Sequence, residues 1–123
     1  MKKWKFLDSG FADCHMNMAI DKAMLDNYDG MPVLRIYGWR PAAFSIGYFQ
    51  DPEEELDLEL CMEKGIGAVK RITGGGVIFH KDEITYSLVC SQDDLNVPAF
   101  SKESYKKICS FLIETYKDLG LNA

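Results

Sequence analysis

The stretch Val69-Lys70-Arg71-Ile72-Thr73-Gly74-Gly75-Gly76-Val77-Ile78-Phe79-His80 sets a basic pair, three adjacent glycines and a histidine between two strand-like segments. Three consecutive glycines weaken a sheet, because each loses much backbone entropy on ordering and has no side chain to pack. A ligand that must touch the main chain offsets that cost, since without a Cβ the backbone N–H groups approach a carboxylate or phosphate closely. Lys70 and Arg71 bring matching positive charge, and Arg suits a two-pronged grip on either anion. The segment is not a P-loop, for G-x-x-x-x-G-K-[ST] is absent, nor a dinucleotide fingerprint, for G-x-G-x-x-G is absent too. A glycine-rich hairpin or bulge with no ligand is the alternative reading.

Beyond His80 come a polar turn at Lys81-Asp82-Glu83, a strand from Ile84 to Cys90 and a loop from Ser91 to 98. Ser101 then caps a last helix with an apolar stripe of Tyr105, Ile108, Leu112, Tyr116 and Leu119, closed by Gly120. Upstream, Asp13 caps a helix from about Cys14 to Tyr28, with Met16, Ala19, Ile20, Ala23, Met24 and Asn27 at near-helical spacing; Gly30 and Pro32 end it. Val33 to Tyr37 and Ala43 to Phe49 read as a strand pair joined by the turn at Arg40-Pro41. Asp51-Pro52-Glu53-Glu54-Glu55 is a helix start, with a capping Asp and Pro at the first position, and Leu56, Leu60 and Met62 are its expected buried face before Lys64-Gly65 stops it. Consecutive Glu side chains point different ways around a helix, so this cluster reads as a solvated first turn and not a metal site. Helix, two strands, helix, three strands, helix is the order of an α+β domain with a mixed, largely antiparallel sheet flanked by helices.

Composition narrows the function. The 123 residues are 47% hydrophobic and 12% aromatic, which suits one compact domain spanning 1–123. Nineteen Asp and Glu against 14 Lys and Arg give a net charge of -5, which argues against a broad nucleic-acid surface. Met1-Lys2-Lys3-Trp4-Lys5 is basic, but Asp8, Ser9 and Gly10 interrupt any signal-peptide core. No run of about 18 apolar residues offers a membrane span; the expected location is cytoplasmic. Cys14, Cys61, Cys90 and Cys109 lack C-x-x-C or zinc spacing and read as reduced, mostly buried thiols. No metal ligand set stands out.

His80 has no acidic partner at a telling spacing, which favours a pocket role over proton transfer. Cys90 has no identifiable base and is not read as a nucleophile. Trp39 and Arg40 are expected at a solvent-facing corner, with an acyl-chain wall as the alternative, and Met16, Met18 and Met24 in the core, with a flexible ligand wall as the alternative.

The glycine stretch resembles the signature of the biotin/lipoate protein ligase superfamily, of the lipoate-protein ligase A or octanoyltransferase type, in which R-R-x-[ST]-G-G-G or R-P-T-G-G-R precedes a histidine. Asn17-Met18-Ala19-Ile20-Asp21 resembles the family's N-M-A-x-D, Leu34-Arg35-Ile36-Tyr37 and Ser45-Ile46-Gly47-Tyr48-Phe49-Gln50 its next two strands, and His80-Lys81-Asp82-Glu83-Ile84-Thr85-Tyr86-Ser87 its H-D-D-E-L-T-Y-S. The resemblance implies a domain related to class II aminoacyl-tRNA synthetases, with this chain as the N-terminal half of the catalytic domain and its fold incomplete at the C-terminus. It also implies a site in which Arg71 contacts the acid or adenylate phosphate, Thr73, Gly74, Gly75, Gly76 and Val77 form the binding loop, and His80 lines the pocket.

The implied substrates are ATP with Mg and lipoate or octanoate, with no tightly bound cofactor. The implied partner is a lipoyl carrier domain, such as glycine cleavage H protein or a dehydrogenase E2; neither nucleic acid nor membrane is implied. The family's catalytic lysine, in a G-x-K-[IV]-x-G-[ST]-A-like segment, falls beyond Ala123, so no catalytic residue is assigned here. A second subunit carrying that lysine and covering an open sheet edge or apolar face is expected. Lys70 stands where the first Arg of the family's pair usually stands, and no cysteine matches the position of the octanoyltransferase nucleophile. Three functions follow: an ATP-dependent lipoate-protein ligase forming an acyl-adenylate; an ATP-independent octanoyltransferase or lipoyl amidotransferase; and a catalytically silent lipoyl-binding or regulatory module. Gly76 in place of the transferase Arg favours the first.

Overall fold

Val33–Trp39 (β2) is rich in branched and aromatic residues that suit a pleated, half-buried surface, and a three-stranded sheet is built on it. It pairs in parallel with Lys5–Ala12 (β1) and antiparallel with Thr85–Val89 (β6). A second three-stranded sheet centres on Ala43–Ile46 (β3), parallel to Gly67–Lys70 (β4) and antiparallel to Ile78–His80 (β5). The computed structural model describes residues 3–96 and 101–122; expectations resting on residues 1, 2, 97, 98 and 123 lie outside them.

The mixed α+β class is as the sequence indicates, with parallel and antiparallel pairings in equal number among the described strands. Two expected pairings are replaced. β2 and β3 do not form a hairpin, because both edges of each are taken by other strands. Nor is the glycine stretch a hairpin, since β4 and β5 lie on opposite sides of β3 and the loop between them must cross its end. β1 is an addition. Asp8, Ser9 and Gly10 carry turn signals, and the structure accommodates them in a register shift between Asp8 and Phe11, with Gly10 at φ +65 and its N–H bonded to Asp8 Oδ1 at 3.0 Å.

Cys14–Asp26 (α1) starts where expected, with Asp13 Oδ1 accepting from the Met16 N–H at 2.8 Å. Its buried face differs from the expected one: Cys14, Asn17 and Met18 are buried, and Met16 is exposed. The phase is set by polar residues. Arg35, fully buried on β2, forms an ion pair with Asp21 Oδ1 at 2.6 Å and donates to Asn17 O, Asn17 Oδ1 and Ser9 Oγ at 2.8–2.9 Å. Asp21 also accepts from Tyr37 and Ser87, so one carboxylate joins α1 to β2 and β6. Burial, reinforced by the Asp21 carboxylate, pushes the Tyr37 phenol well above its ordinary pKa. Cys14, Met18, Tyr37, Trp39 and Ala43 form the apolar core beside this network.

The expected second helix is two, Pro52–Glu55 (α2) and Leu58–Glu63 (α3). Leu56 is extended, and Asp57 caps the second segment through the Leu60 N–H at 2.9 Å. Neither buries a residue, and Met62 is 77% exposed, contrary to the apolar face assigned there. Gln92–Leu95 (α4) occupies part of the expected loop. Lys102–Asp118 (α5) follows its Ser101 cap and ends before Gly120 at φ +79, as read. Its stripe stays largely uncovered, Leu119 being 70% exposed, although Phe111 sets its edge on Tyr86. Among the described residues no helix is long and apolar enough to cross a membrane.

Replacing Asp21 with Ala leaves a buried guanidinium without its counter-charge and is expected to cost about 3–5 kcal/mol in urea unfolding. Lys22→Ala, which breaks the exposed pair with Asp26, is expected to stay within about 0.5 kcal/mol. Equal losses would deny the Arg35 network its structural weight.

Candidate functional site

Between α1, β2, β6 and the glycine loop lies a cavity of about 340 Å³. Met18, Leu25, Ile72, Ile78, Leu88 and Val89 supply apolar wall, Tyr37, Trp39 and Tyr86 aromatic faces. Asp21, Ser45, Arg71, Thr73, His80, Thr85 and Ser87 supply polar groups. The size is near the lower end of small-molecule pockets, ~300–1,000 Å³, and suits a slender chain better than a whole nucleotide. Arg71, Thr73 and His80 therefore meet at one cavity, whereas Gly74, Gly75, Gly76 and Val77 are not among its lining residues.

The loop's shape follows from its crossing over β3. The Arg71 N–H donates to Ile46 O and the Tyr48 N–H to Thr73 O, both at 2.9 Å, which seats the loop on the end of that strand. Gly47 makes the seat possible: a Cβ there would stand 1.9 Å from Gly75 O. Gly75 itself has φ +95, a conformation that favours glycine. Arg71 turns back over the loop it begins. Its Nη1 donates to Ser45 O and Oγ at 3.0 Å, its Nη2 to Gly74 O at 2.8 Å and Gly76 O at 2.7 Å. The guanidinium is thus an internal clamp, and partial burial lowers its pKa from the ordinary value. Carbonyls of the loop are held inward, while the N–H groups of Thr73, Gly74, Gly75 and Gly76 donate to no other described residue and the segment is exposed. Such a row of N–H groups can donate to the oxygens of a carboxylate, a thioester or a phosphate.

His80 is buried and stacked on Trp39, ring centroids 3.9 Å apart and planes 9° from parallel. Its Nε2 meets Ser45 Oγ at 2.8 Å and its Nδ1 meets Glu83 Oε1 at 2.5 Å. The acidic partner missing from the sequence reading is Glu83, three residues on, brought round by the turn at Lys81 and Asp82, the latter at φ +50. Trp39 is buried in the cavity wall and not at a solvent-facing corner; Arg40 is exposed and lies over the Phe11 ring at 4.5 Å. All four cysteines are reduced, but only Cys14 is buried, and burial raises its pKa. No cluster of three or more His, Cys, Asp or Glu suited to a metal occurs among the described residues.

The sequence profile of the lipoyl protein ligase A/B catalytic domain matches residues 13–123. The chain belongs to this family. It is 40% identical to the octanoyltransferase LipM of Halalkalibacterium halodurans over 126 residues, covering 100% of this chain and 46% of that protein. It resembles the bi-partite lipoate protein ligase of an archaeal lipoylation system from Thermoplasma acidophilum, described with its E2 lipoyl domain. That likeness has a TM-score of 0.86 at 28% identity and covers 100% of this chain and 48% of the other. It also resembles a lipoate-protein ligase A bound with ATP, with a TM-score of 0.82 at 28% identity, over 99% of this chain and 49% of that one. The fold is that of the lipoate ligases, related to class II aminoacyl-tRNA synthetases, and the chain spans about half the length of the relatives it matches.

Within this family fold, the motifs around Asn17, Asp21, Arg35, Tyr37 and Ser87 turn out to build the buried network beneath the cavity, a task their spacing does not disclose. The loop geometry predicts a contrast between two glycines. Gly47→Ala must displace Gly75 and is expected to destabilise the protein by about 2–3 kcal/mol in denaturant unfolding, whereas Gly76→Ala, with nothing within 4 Å of its Cβ, should stay within about 0.5 kcal/mol. A neutral Gly47→Ala would remove the loop's seat from the argument.

Proposed function

We propose that this chain is the acyl-binding part of an acyltransferase that takes an octanoyl group from a carrier-protein thioester and passes it to a lysine of a lipoyl carrier domain. The cavity carries the reading: an apolar chamber of about 340 Å³ beside exposed loop N–H groups holds a medium-length acyl chain and presents its head group to the loop. Arg71 supports transfer without nucleotide, because both its Nη atoms are occupied within the protein. The 40% identity to a LipM octanoyltransferase points the same way. The ATP-dependent ligase favoured by sequence analysis becomes the second reading. Gly76 in place of the transferase Arg and the likeness to an ATP-bound ligase speak for it. Since nothing lies within 4 Å of a Cβ at Gly76, a side chain can start from that position without displacing a neighbour.

An octanoyl or lipoyl group is the acyl group in either case, and Arg71, Thr73, Gly74, Gly75, Gly76, Val77 and His80 are its proposed site residues, Arg71 acting through the loop that it clamps. The catalytic lysine segment, which matches nothing in residues 1–123, is assigned to polypeptide outside them, on the same chain or a companion subunit.

The full-length protein is expected to acylate a lipoyl domain, followed by intact mass, from octanoyl carrier protein without ATP. Acylation only from free octanoate with ATP would overturn the transferase reading in favour of the ligase. Filling the chamber gives a second prediction. Leu88→Trp, by denying burial to about three methylenes at ~0.8 kcal/mol each, is expected to lower kcat/KM for the octanoyl donor roughly fiftyfold and for a butanoyl donor far less. Equal loss for both donors would move the acyl chain out of this cavity.

A further inference from the structure

The polar chain around His80 has a direction that its ends dictate. Trp39 Nε1 and the Arg71 guanidinium only donate, and an ionised Glu83 carboxylate only accepts. Trp39 donates to Thr85 Oγ1 at 2.7 Å, so the Thr85 proton goes to Glu83 Oε1, also at 2.7 Å. Glu83 also accepts from His80 Nδ1 at 2.5 Å, so in the uncharged ring Nε2 accepts and the Ser45 hydroxyl proton goes to it at 2.8 Å, while Ser45 Oγ accepts from Arg71 Nη1 at 3.0 Å. The ring proton then sits on Nδ1.

Glu83, His80 and Ser45 fall in the order of a hydrolytic carboxylate, imidazole and hydroxyl. Ser45 is nevertheless unsuited to attack: it is 1% exposed, and its Oγ lone pair is committed to a cation, which lowers nucleophilicity. Its carbonyl oxygen holds the same guanidinium. What the arrangement transmits is position.

We propose that Glu83 is a positioning residue for the glycine loop. By holding His80 with its proton on Nδ1, Glu83 makes Nε2 take the Ser45 proton and leaves Ser45 Oγ to accept from Arg71. The other Nη of Arg71 grips the carbonyls of Gly74 and Gly76, which leaves the loop N–H groups for an acyl head group. A negative charge on the turn after β5 and a positive charge under the loop are thereby joined through two side chains, His80 on β5 and Ser45 on β3, within one sheet. This deepens the acyl-binding reading of the loop, but it is tested without substrate.

The test uses the ligand-free full-length protein with ¹⁵N-labelled histidine and arginine, at mildly alkaline pH; His15 and His80 are the two histidines of this sequence. Long-range proton–nitrogen spectra should show His80 protonated on Nδ1. Glu83→Ala is expected to move it toward the Nε2-protonated form and to speed exchange of the Arg71 Nη protons roughly tenfold. Glu83→Gln, whose amide oxygen still accepts, should restore both signals. Ser45→Ala should speed the Arg71 exchange while His80 keeps its Nδ1 proton. His80 protonated on Nε2 in the unmutated protein, or Glu83→Ala leaving tautomer and Arg71 exchange unchanged, overturns the proposal. Should Glu83→Ala fail to fold, the unmutated tautomer and Ser45→Ala decide. Loss of acyl transfer in a protein whose relay behaves as expected would count against the proposed function alone.

Discussion

A guanidinium with no access to water is the constraint from which the rest of this structure follows. Burying the Arg35 charge costs several kcal/mol unless a counter-charge and further acceptors surround it. Asp21, Asn17 and Ser9 meet that demand. Because Asn17 and Asp21 stand on one face of α1, that face must turn toward β2. Met18 and Leu25 are thereby carried to the chamber wall. The same carboxylate collects Tyr37 and Ser87, so the walls from β2 and β6 are positioned by one group.

A second arginine, Arg71, organises the opposite side by the same means. It gathers backbone carbonyls instead of side-chain carboxylates, and its charge is balanced at a distance by Glu83 through Ser45 and His80. Each cation is therefore matched within its own network. On the proposed function, an acyl chain entering the chamber meets Asp21, Ser45, His80, Thr85 and Ser87 already hydrogen-bonded within the protein, and the low polarity of the remaining wall favours methylene burial.

The legible parts of the fold were those governed by local chemistry. Asp13, Asp51 and Ser101 announced their helices, because a cap is decided within four residues. The glycine run announced a close approach, since Gly47 and Gly75 meet where β3 ends. What escaped depended on distant pairing. Lys5–Ala12 is broken by turn-forming residues and is mostly exposed, so only its partner β2 makes it a strand. The buried face of α1 was misplaced because Asn17 and Asp21 look like surface residues until Arg35 is found beneath them. Glu83 lay three residues from His80 with nothing but a turn to reveal that the two side chains meet. In the site, the sequence showed which residues gather at the loop and missed what holds them there.

On the proposed function, the geometry also accounts for how one scaffold can serve ligases and transferases. On that reading the chamber holds the acyl chain, which both chemistries share, and α1, β2 and β6 supply much of its wall. The bond to be broken lies at the head group, over the exposed loop from Thr73 to Gly76, outside the apolar wall. With Arg71 clamped to Gly74 and Gly76, what the loop has to offer on that reading is its row of N–H groups, suited to donate to an oxyanion from a thioester or an adenylate alike. Choice between donors must then rest with residues that can be changed without disturbing the clamp. Gly76 is such a position: its carbonyl serves Arg71 whatever side chain it bears, and the space beside it is open. An Arg there adds a cation to the loop, and a Gly withholds one. A single substitution at the loop's far end thus alters the charge presented to the donor while the chamber, its two arginine networks and the acyl chain they hold stay as they are.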